Sequence, residues 1–183
     1  IALLIFLPVI FLISIIIMIK DGFPIFFTQK RVGKDGKLFK MIKFRTMQKN
    51  DSKNTVSVKG DSRITKTGAF LRRYKLDELP ELINIVFGQM SFVGPRPDVP
   101  GYADLLEGEN RKILKLRPGL TGPATLKYFD EEEILAKQEN PQKYNDEVIF
   151  PDKVKINLEY YYNNSLVKDI RIIFATIFKT KQE

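Results

Sequence analysis

Apolar side chains are laid out in three different patterns along this chain, and each pattern predicts a different element. Residues 1–19 carry 17 apolar side chains, broken only by Pro8 and Ser14, with no charge before Lys20. At about 1.5 Å per residue such a helix is roughly 28 Å long, close to the hydrocarbon thickness of a bilayer, which predicts a membrane segment. Pro8 lies near its middle, where it removes the hydrogen bond to the Leu4 carbonyl and presses its ring on that turn, so a kink is expected. A secretory leader would start with basic residues and end at a small-residue cleavage site. This segment starts directly in apolar sequence, without an initiator Met, and runs into Lys20 and Asp21, so further residues are expected upstream of Ile1.

Partial period-two alternation follows. Phe26 to Val32 and Leu38 to Arg45 interleave apolar and basic residues around Gly33-Lys34-Asp35-Gly36, whose Asp-Gly pair marks a short β-hairpin. Gln48 to Gly60 is polar and reads as an exposed loop. Helical spacing takes over from Thr67 through Phe70, Leu71 and Tyr74. Leu79, Leu82, Ile83 and Val86 then fall at i, i+3, i+4 and i+7, with Pro80 in the first turn and Asp77 and Glu78 at the N-terminus of the helix they predict. Asp130 to Glu133 predicts a solvated acidic face on a helix between Tyr128 and Phe150. Near the end, Leu166, Ile170, Ile173, Phe174 and Ile177 recur at helical spacing, which suits either core packing or an interfacial membrane helix. The fold class is therefore α+β and mostly helical, a membrane segment over 1–19 followed by one catalytic or binding domain over 20–183.

Composition narrows the chemistry. With no Cys and no His in 183 residues, thiol nucleophiles, disulfides, the usual zinc sites and histidine acid–base catalysis are all excluded. What remains is carboxylates, Lys, Arg, Tyr, hydroxyls or a hard, oxygen-bound metal. The net charge of +8 is unevenly placed: residues 20–75 hold 16 Lys or Arg against 4 acids, whereas residues 76–147 hold 8 against 14. A basic stretch directly after a membrane segment fits the cytoplasmic face of an anionic bilayer, at on the order of 1 kcal/mol per cation near the surface, and also suits a substrate with several phosphates. A basic nucleic-acid-binding domain has similar composition, but no nucleic-acid-binding motif is present in this region.

Asp77 could be no more than a helix cap, worth about 1 kcal/mol. Its neighbours Arg72, Arg73 and Lys75 point instead to an anionic ligand. Gly94-Pro95-Arg96-Pro97 holds one guanidinium between two prolines, a stiff clamp for a phosphate or a base edge, and Arg117-Pro118-Gly119 repeats the theme; each also suits a plain turn with its Arg in water.

Taken in order, Lys43-Phe44-Arg45-Thr46-Met47, Asp61-Ser62-Arg63-Ile64-Thr65, Leu71-Arg72, Leu76-Asp77-Glu78-Leu79-Pro80, Asn84, Gly88-Gln89-Met90-Ser91, Gly94-Pro95-Arg96-Pro97 and Arg117-Pro118-Gly119-Leu120-Thr121-Gly122 resemble the bacterial monotopic phosphoglycosyl transferases. The resemblance is dense from Phe26 to Gly122 and returns weakly in the C-terminal helices.

It implies transfer of a sugar-1-phosphate from a UDP-sugar to polyprenyl phosphate with release of UMP, at the cytoplasmic face of the bacterial inner membrane and with no nucleic acid involved. Asp77 would be the nucleophile, and Glu78, with Asp77, would hold magnesium. Arg72 would contact a phosphate and Arg96, in its frame of Pro95 and Pro97, the nucleotide, while Lys43, Arg45 and Arg117 would bind substrate or lipid headgroups. The apolar helix would be broken at Pro8 and re-enter the leaflet it came from, although Leu7 replaces the Ser often found before that proline. A kinked helix that crosses is the other topology the sequence allows. No sugar-binding motif is legible between Gly122 and Tyr160. Two other functions stay open on sequence: a glycosyl transferase that releases UDP, and a membrane-tethered domain that binds polyanions without catalysis.

Overall fold

The computed structural model describes residues 1–48 and 62–178, so most of the expected loop from Gln48 to Gly60, and Asp61, lie outside the described residues. Among the described residues helix predominates, with two small two-stranded sheets.

The apolar run forms α1 (Ala2–Lys20). The expected break is not seen: helix continues through Pro8, since the turns on either side keep their own hydrogen bonds and only the Leu4 carbonyl loses its donor. Only Ile10, Ile13 and Ile17 of this helix are buried, against Phe44 and Leu71. Leu4, Ile5, Phe11, Leu12 and Ile19 are exposed all round it, a distribution that suits lipid and not water.

The hairpin is as expected. Strands β1 (Phe26–Val32) and β2 (Leu38–Phe44) pair antiparallel from Phe26 opposite Phe44 to Val32 opposite Leu38. Its turn needs two consecutive left-handed residues, Asp35 at φ 57° and Gly36 at φ 76°, which an Asp-Gly pair supplies at least cost. Helix α2 (Lys66–Arg73) begins where the Thr65 hydroxyl accepts from the Gly68 amide at 2.8 Å.

The next segment departs from expectation. Leu76–Glu78 is a 3₁₀ turn entered through Lys75 at φ 55°, and α3 (Glu81–Val86) is only six residues long. Asp77 and Glu78 thus precede the helix instead of opening it, and so short a helix adds little dipole. The predicted stripe is also rotated. Val86 is exposed, while Glu78, Glu81, Leu82 and Asn84 are buried, because this face lies on β2. Asn84 is the joint: its Oδ1 accepts from the Ile42 amide at 3.1 Å, and its Nδ2 donates to the Lys40 carbonyl at 2.8 Å and to Gln89 Oε1 at 2.7 Å.

Strands β3 (Ser91–Val93) and β4 (Gly119–Thr121) form the second, parallel pair. Then come α4 (Pro123–Lys127), α5 (Glu131–Ala136), α6 (Pro141–Tyr144), a π-helical turn over Asn145–Ile149, α7 (Phe150–Asn163) and α8 (Leu166–Ile177). Of the stripe on α8 only Ile173 packs on the core, and it is partly buried. Ile172 and Ala175 pack against Val93, Leu126 and Tyr160, whereas Leu166, Ile170, Phe174 and Ile177 face outward. Of the two expectations for this helix, the interfacial one fits the exposed apolar face.

Beside β3 the chain passes so closely that only glycine fits. A Cβ on Gly94 would stand 2.3 Å from the Arg117 carbonyl oxygen, and one on Gly119 would stand 2.2 Å from the Gly94 amide nitrogen. Since both obstacles are backbone, Gly94→Ala must separate the strands; we expect a loss of about 3 kcal/mol, read as a melting temperature lower by roughly 6–12 °C in micelles. An unchanged melting curve would show that the crossing can open without cost.

Candidate active site

Three segments far apart in sequence meet at one buried carboxylate. Glu78 Oε1 accepts from Lys43 Nζ at 2.9 Å and from Arg96 Nη2 at 2.5 Å. Lys43 comes from β2, Glu78 from the 3₁₀ turn, and Arg96 from the loop after β3. Burial by itself would push Glu78 up, but the charges of Arg96 and Lys43 overcome it and hold the carboxyl well below the usual range. Lys43 Nζ also lies 3.2 Å from Glu81 Oε1, an ion pair too poorly aligned to be a full hydrogen bond.

Asp77 has the opposite character. Burial first, and then the Glu78 charge, raise it above the ordinary aspartate value, against the pull of Lys43, Arg72 and Lys75. Its Oδ1 is buried with no hydrogen-bond partner in the protein. A buried carboxylate oxygen without a donor is costly unless something else is meant to meet it. Both Asp77 and Glu78 open into a cavity of about 1170 Å³, whose wall includes Lys43, Arg45, Arg72, Lys75 and Arg96.

The sequence-predicted residues separate into two groups. Asp77, Glu78, Lys43, Arg72 and Arg96 converge on this cavity. Arg45 lines it too, but its Nη2 donates to the carbonyls of Asp21 at 2.6 Å and Gly22 at 2.7 Å, where it closes the C-terminal end of α1. Pro95 and Pro97 are buried and do not reach the cavity; they shape the loop, the Pro95 carbonyl accepting from the Gly119 amide at 2.8 Å and the Pro97 carbonyl from Arg31 Nη1 at 3.1 Å. Arg117 is exposed and off the cavity wall, a correction to its expected contact: its carbonyl, not its side chain, sits at the glycine crossing.

Sequence reasoning missed several participants. Glu81, which carried no expectation from the sequence, is 2% exposed, and burial pushes it up to about 7. Arg31 buttresses the Pro-Arg-Pro loop, and burial brings it down to about 10. The acidic run was expected to be solvated. Instead both Glu131 oxygens accept from Lys153 at 2.7 Å, and Glu132 takes Arg72 in a short ion pair, so the first turn of α5 contributes to the lining of the cavity that also holds Asp77. Their partners lie 22 and 60 residues away, beyond any local signal.

The acidic donors suit magnesium as far as the described residues go. That ion binds through one or two carboxylates together with substrate phosphates, and both basic partners of Glu78 use the same oxygen, while Asp77 Oδ1 has no donor in the protein and both residues line the cavity. Among the described residues no group of three metal-binding side chains is present, so any such ion would depend on substrate oxygens for the rest of its shell.

The Glu81 carboxyl carries a pH signature. Between about 4.5 and 7 the folded chain keeps a proton there that the unfolded chain has released, so this group's contribution favours folding at the acid end and is lost as pH rises through the window. Glu81→Gln should flatten the dependence of unfolding free energy on pH across that interval, measured by denaturant titration in micelles. A slope equal to that of the parent would mean that Lys43 keeps Glu81 ionised throughout.

Comparison with known proteins gives the family. The family model described as bacterial sugar transferase matches residues 1–183. The UDP-glucose:undecaprenyl-phosphate glucose-1-phosphate transferase of Escherichia coli K12 is 39% identical over 184 residues, covering 97% of this chain but 37% of its own length. The exopolysaccharide production protein ExoY of Rhizobium meliloti is 34% identical, with 97% of this chain and 79% of the relative aligned. The exopolysaccharide production protein PSS of Rhizobium leguminosarum is 35% identical, with 96% and 87% aligned. The chain thus spans little more than a third of the Escherichia coli enzyme and most of the two rhizobial proteins. With the family model matched over residues 1–183, from the apolar helix to the last residue, the chain belongs to the bacterial sugar transferase family.

Proposed function

We propose that this chain transfers a sugar-1-phosphate from a UDP-sugar to undecaprenyl phosphate, releasing UMP, by way of a covalent intermediate on Asp77. The observation that carries this reading is Asp77, with one buried oxygen that has no donor in the protein, set beside a carboxylate that two cations hold ionised and lining a cavity whose wall includes Lys43, Arg72, Lys75 and Arg96. The names of the relatives, which specify glucose-1-phosphate transfer to undecaprenyl phosphate or exopolysaccharide production, support the substrate classes.

The chemistry needs no histidine. An Asp77 oxygen attacks the phosphorus that bears the sugar; the bond from that phosphorus to the bridging oxygen breaks, and UMP leaves with the electron pair. An oxygen of the lipid phosphate then attacks the same phosphorus, and the bond to Asp77 breaks to regenerate the carboxylate. The main obstacle is electrostatic, since two unit charges at about 4 Å repel by roughly 4 kcal/mol at an effective dielectric of 20. Lys43, Arg72, Lys75 and Arg96 offset it, being fixed before substrate arrives. Glu78 with substrate phosphates would hold magnesium, which supplies further neutralisation of the diphosphate when bound.

The surroundings suit a lipid acceptor. Ala2 and Phe6, at the start of α1, line the same cavity as Pro24, Phe26 and Phe27, while Ile10, Ile13 and Ile17 pack on the domain further along. A helix that touches the catalytic domain along both halves fits entry into one leaflet better than a span that projects away. The outward apolar face of α8 gives a second contact with the same surface. On this reading residues 1–19 form the membrane segment and residues 20–183 the catalytic domain at the cytoplasmic face of the inner membrane.

Two experiments follow. Asp77→Asn keeps the shape of the side chain but removes the nucleophile; turnover should fall at least a thousandfold, and incubation with UDP-sugar alone should give a sugar-phosphate adduct by intact-protein mass spectrometry on the parent and none on the variant. Release of UDP in place of UMP would indicate a glycosyl transferase instead. For topology, the absence of native Cys allows single cysteines at Ile1 and Asn163 to be tested with an impermeant maleimide in intact cells. Both should resist labelling, whereas reaction at Ile1 alone would establish a crossing helix.

A further inference from the structure

The cavity lining has two parts of opposite character. Asp77, Lys43, Arg72 and Arg96 supply the part of the lining that suits a diphosphate; Tyr128, Glu131, Glu132 and Asn145 line the same cavity, and Glu132 meets the first group through its ion pair with Arg72. Carboxylates are the wrong groups to offer a phosphate, and in a site built for an anion they weaken binding unless they serve another part of the ligand. The part of a nucleotide sugar that carries no charge and many donors is the sugar, and a carboxylate, which only accepts, is its natural complement.

The two glutamates are not equivalent. Glu131 has both oxygens on Lys153 at 2.7 Å and is satisfied. Glu132 is held through Oε1 by Arg72, its side chain is 44% exposed, and the residue is part of the cavity lining. Arg72 in turn bears on Asp77, since its charge is among those that pull the aspartate down. A guanidinium has five N–H donors in a planar fork, enough to hold a carboxylate on one edge and a phosphate oxygen on another. In the reaction proposed above, the phosphorus beside Asp77 is the one bonded to the sugar. The sugar ring is therefore the first group beyond Arg72, on the side where Glu132 stands.

We infer that Glu132 accepts hydrogen bonds from hydroxyl groups of the transferred sugar and so sets donor specificity, with Arg72 as the link that fixes it relative to the reacting phosphorus. The inference rests on the nucleotide-sugar reading and adds the class of sugar to it: a neutral one with free hydroxyls, in preference to a uronic acid, whose carboxylate would meet that of Glu132.

Binding can be measured apart from turnover by using the full chain in micelles with Asp77→Asn, with and without Glu132→Gln. Calorimetric titration would cover UMP, a panel of neutral UDP-sugars and UDP-glucuronate. Glu132→Gln should weaken the tightest-binding neutral UDP-sugar about tenfold, leave UMP within twofold, and narrow the gap between that sugar and UDP-glucuronate. Equal weakening of UMP and UDP-sugar would assign Glu132 to the nucleotide or to folding and overturn the inference. Tightening of both would show that Glu132 merely occupies Arg72 in competition with phosphate, which also overturns it, as would unchanged binding throughout. If the parent chain bound UMP and no UDP-sugar better than UMP, the sugar subsite would fail while the nucleotide site stood; absence of binding by every uridine nucleotide would remove the nucleotide-sugar reading itself.

Discussion

The ionised carboxylate of Glu78, buried and bridged to Lys43 and Arg96, is the constraint on which the rest of the site depends. It ties the hairpin, the 3₁₀ turn and the Pro-Arg-Pro loop to a single point. Removing Glu78 would take from Lys43 and Arg96 the partner they share, whereas removing either cation would leave the carboxylate with the other. Because Asp77 is the next residue, the position of its orphaned oxygen is inherited from that junction. The glycine crossing at Gly94 and Gly119 and the amide of Asn84 act in the same direction, by fixing the two strands from which Arg96 and Lys43 depart.

The site also shows how opposite behaviour is imposed on neighbouring acids. Glu78 has two cations at hydrogen-bonding distance and stays charged despite burial; Asp77 has none that close, and burial dominates. Adjacent residues thus acquire opposite electrostatic character, one held ionised and the other pushed toward its neutral form. Local hydrogen-bond supply makes the difference, since burial is common to both.

Much of this was legible in the sequence where the signal is local. The hairpin follows from Asp35-Gly36, α2 from Thr65 and its helical spacing, and α1 from an unbroken apolar run. Charge type placed Asp77, Glu78, Arg72 and Arg96 together only through the ordered motifs of the resemblance. What could not be read is which face of a short helix turns inward. On α3 the apolar spacing points to Val86, yet the buried face carries Glu81 and Asn84, because β2 offers Lys43 and free backbone groups as partners. Glu132 looked like a solvent residue for the same reason: the Arg72 that claims it is distant in sequence and near in space. Arg117 errs the other way, an apparent clamp whose contribution is its backbone.

A two-stranded sheet has two open edges, and each is a template on which another chain could add a strand. Here both are met from within. On β2 the side-chain amide of Asn84 imitates a peptide group, accepting from Ile42 and donating to Lys40, while on β1 the Val32 amide is taken by the Asp98 carbonyl at 2.9 Å. The hairpin is consequently sealed at those positions against growth by strand addition. A strand from another chain would find the Ile42 amide, the Lys40 carbonyl and the Val32 amide already engaged, so that pairing would have to displace contacts which also hold the loop after β3 and the short helix α3 in place.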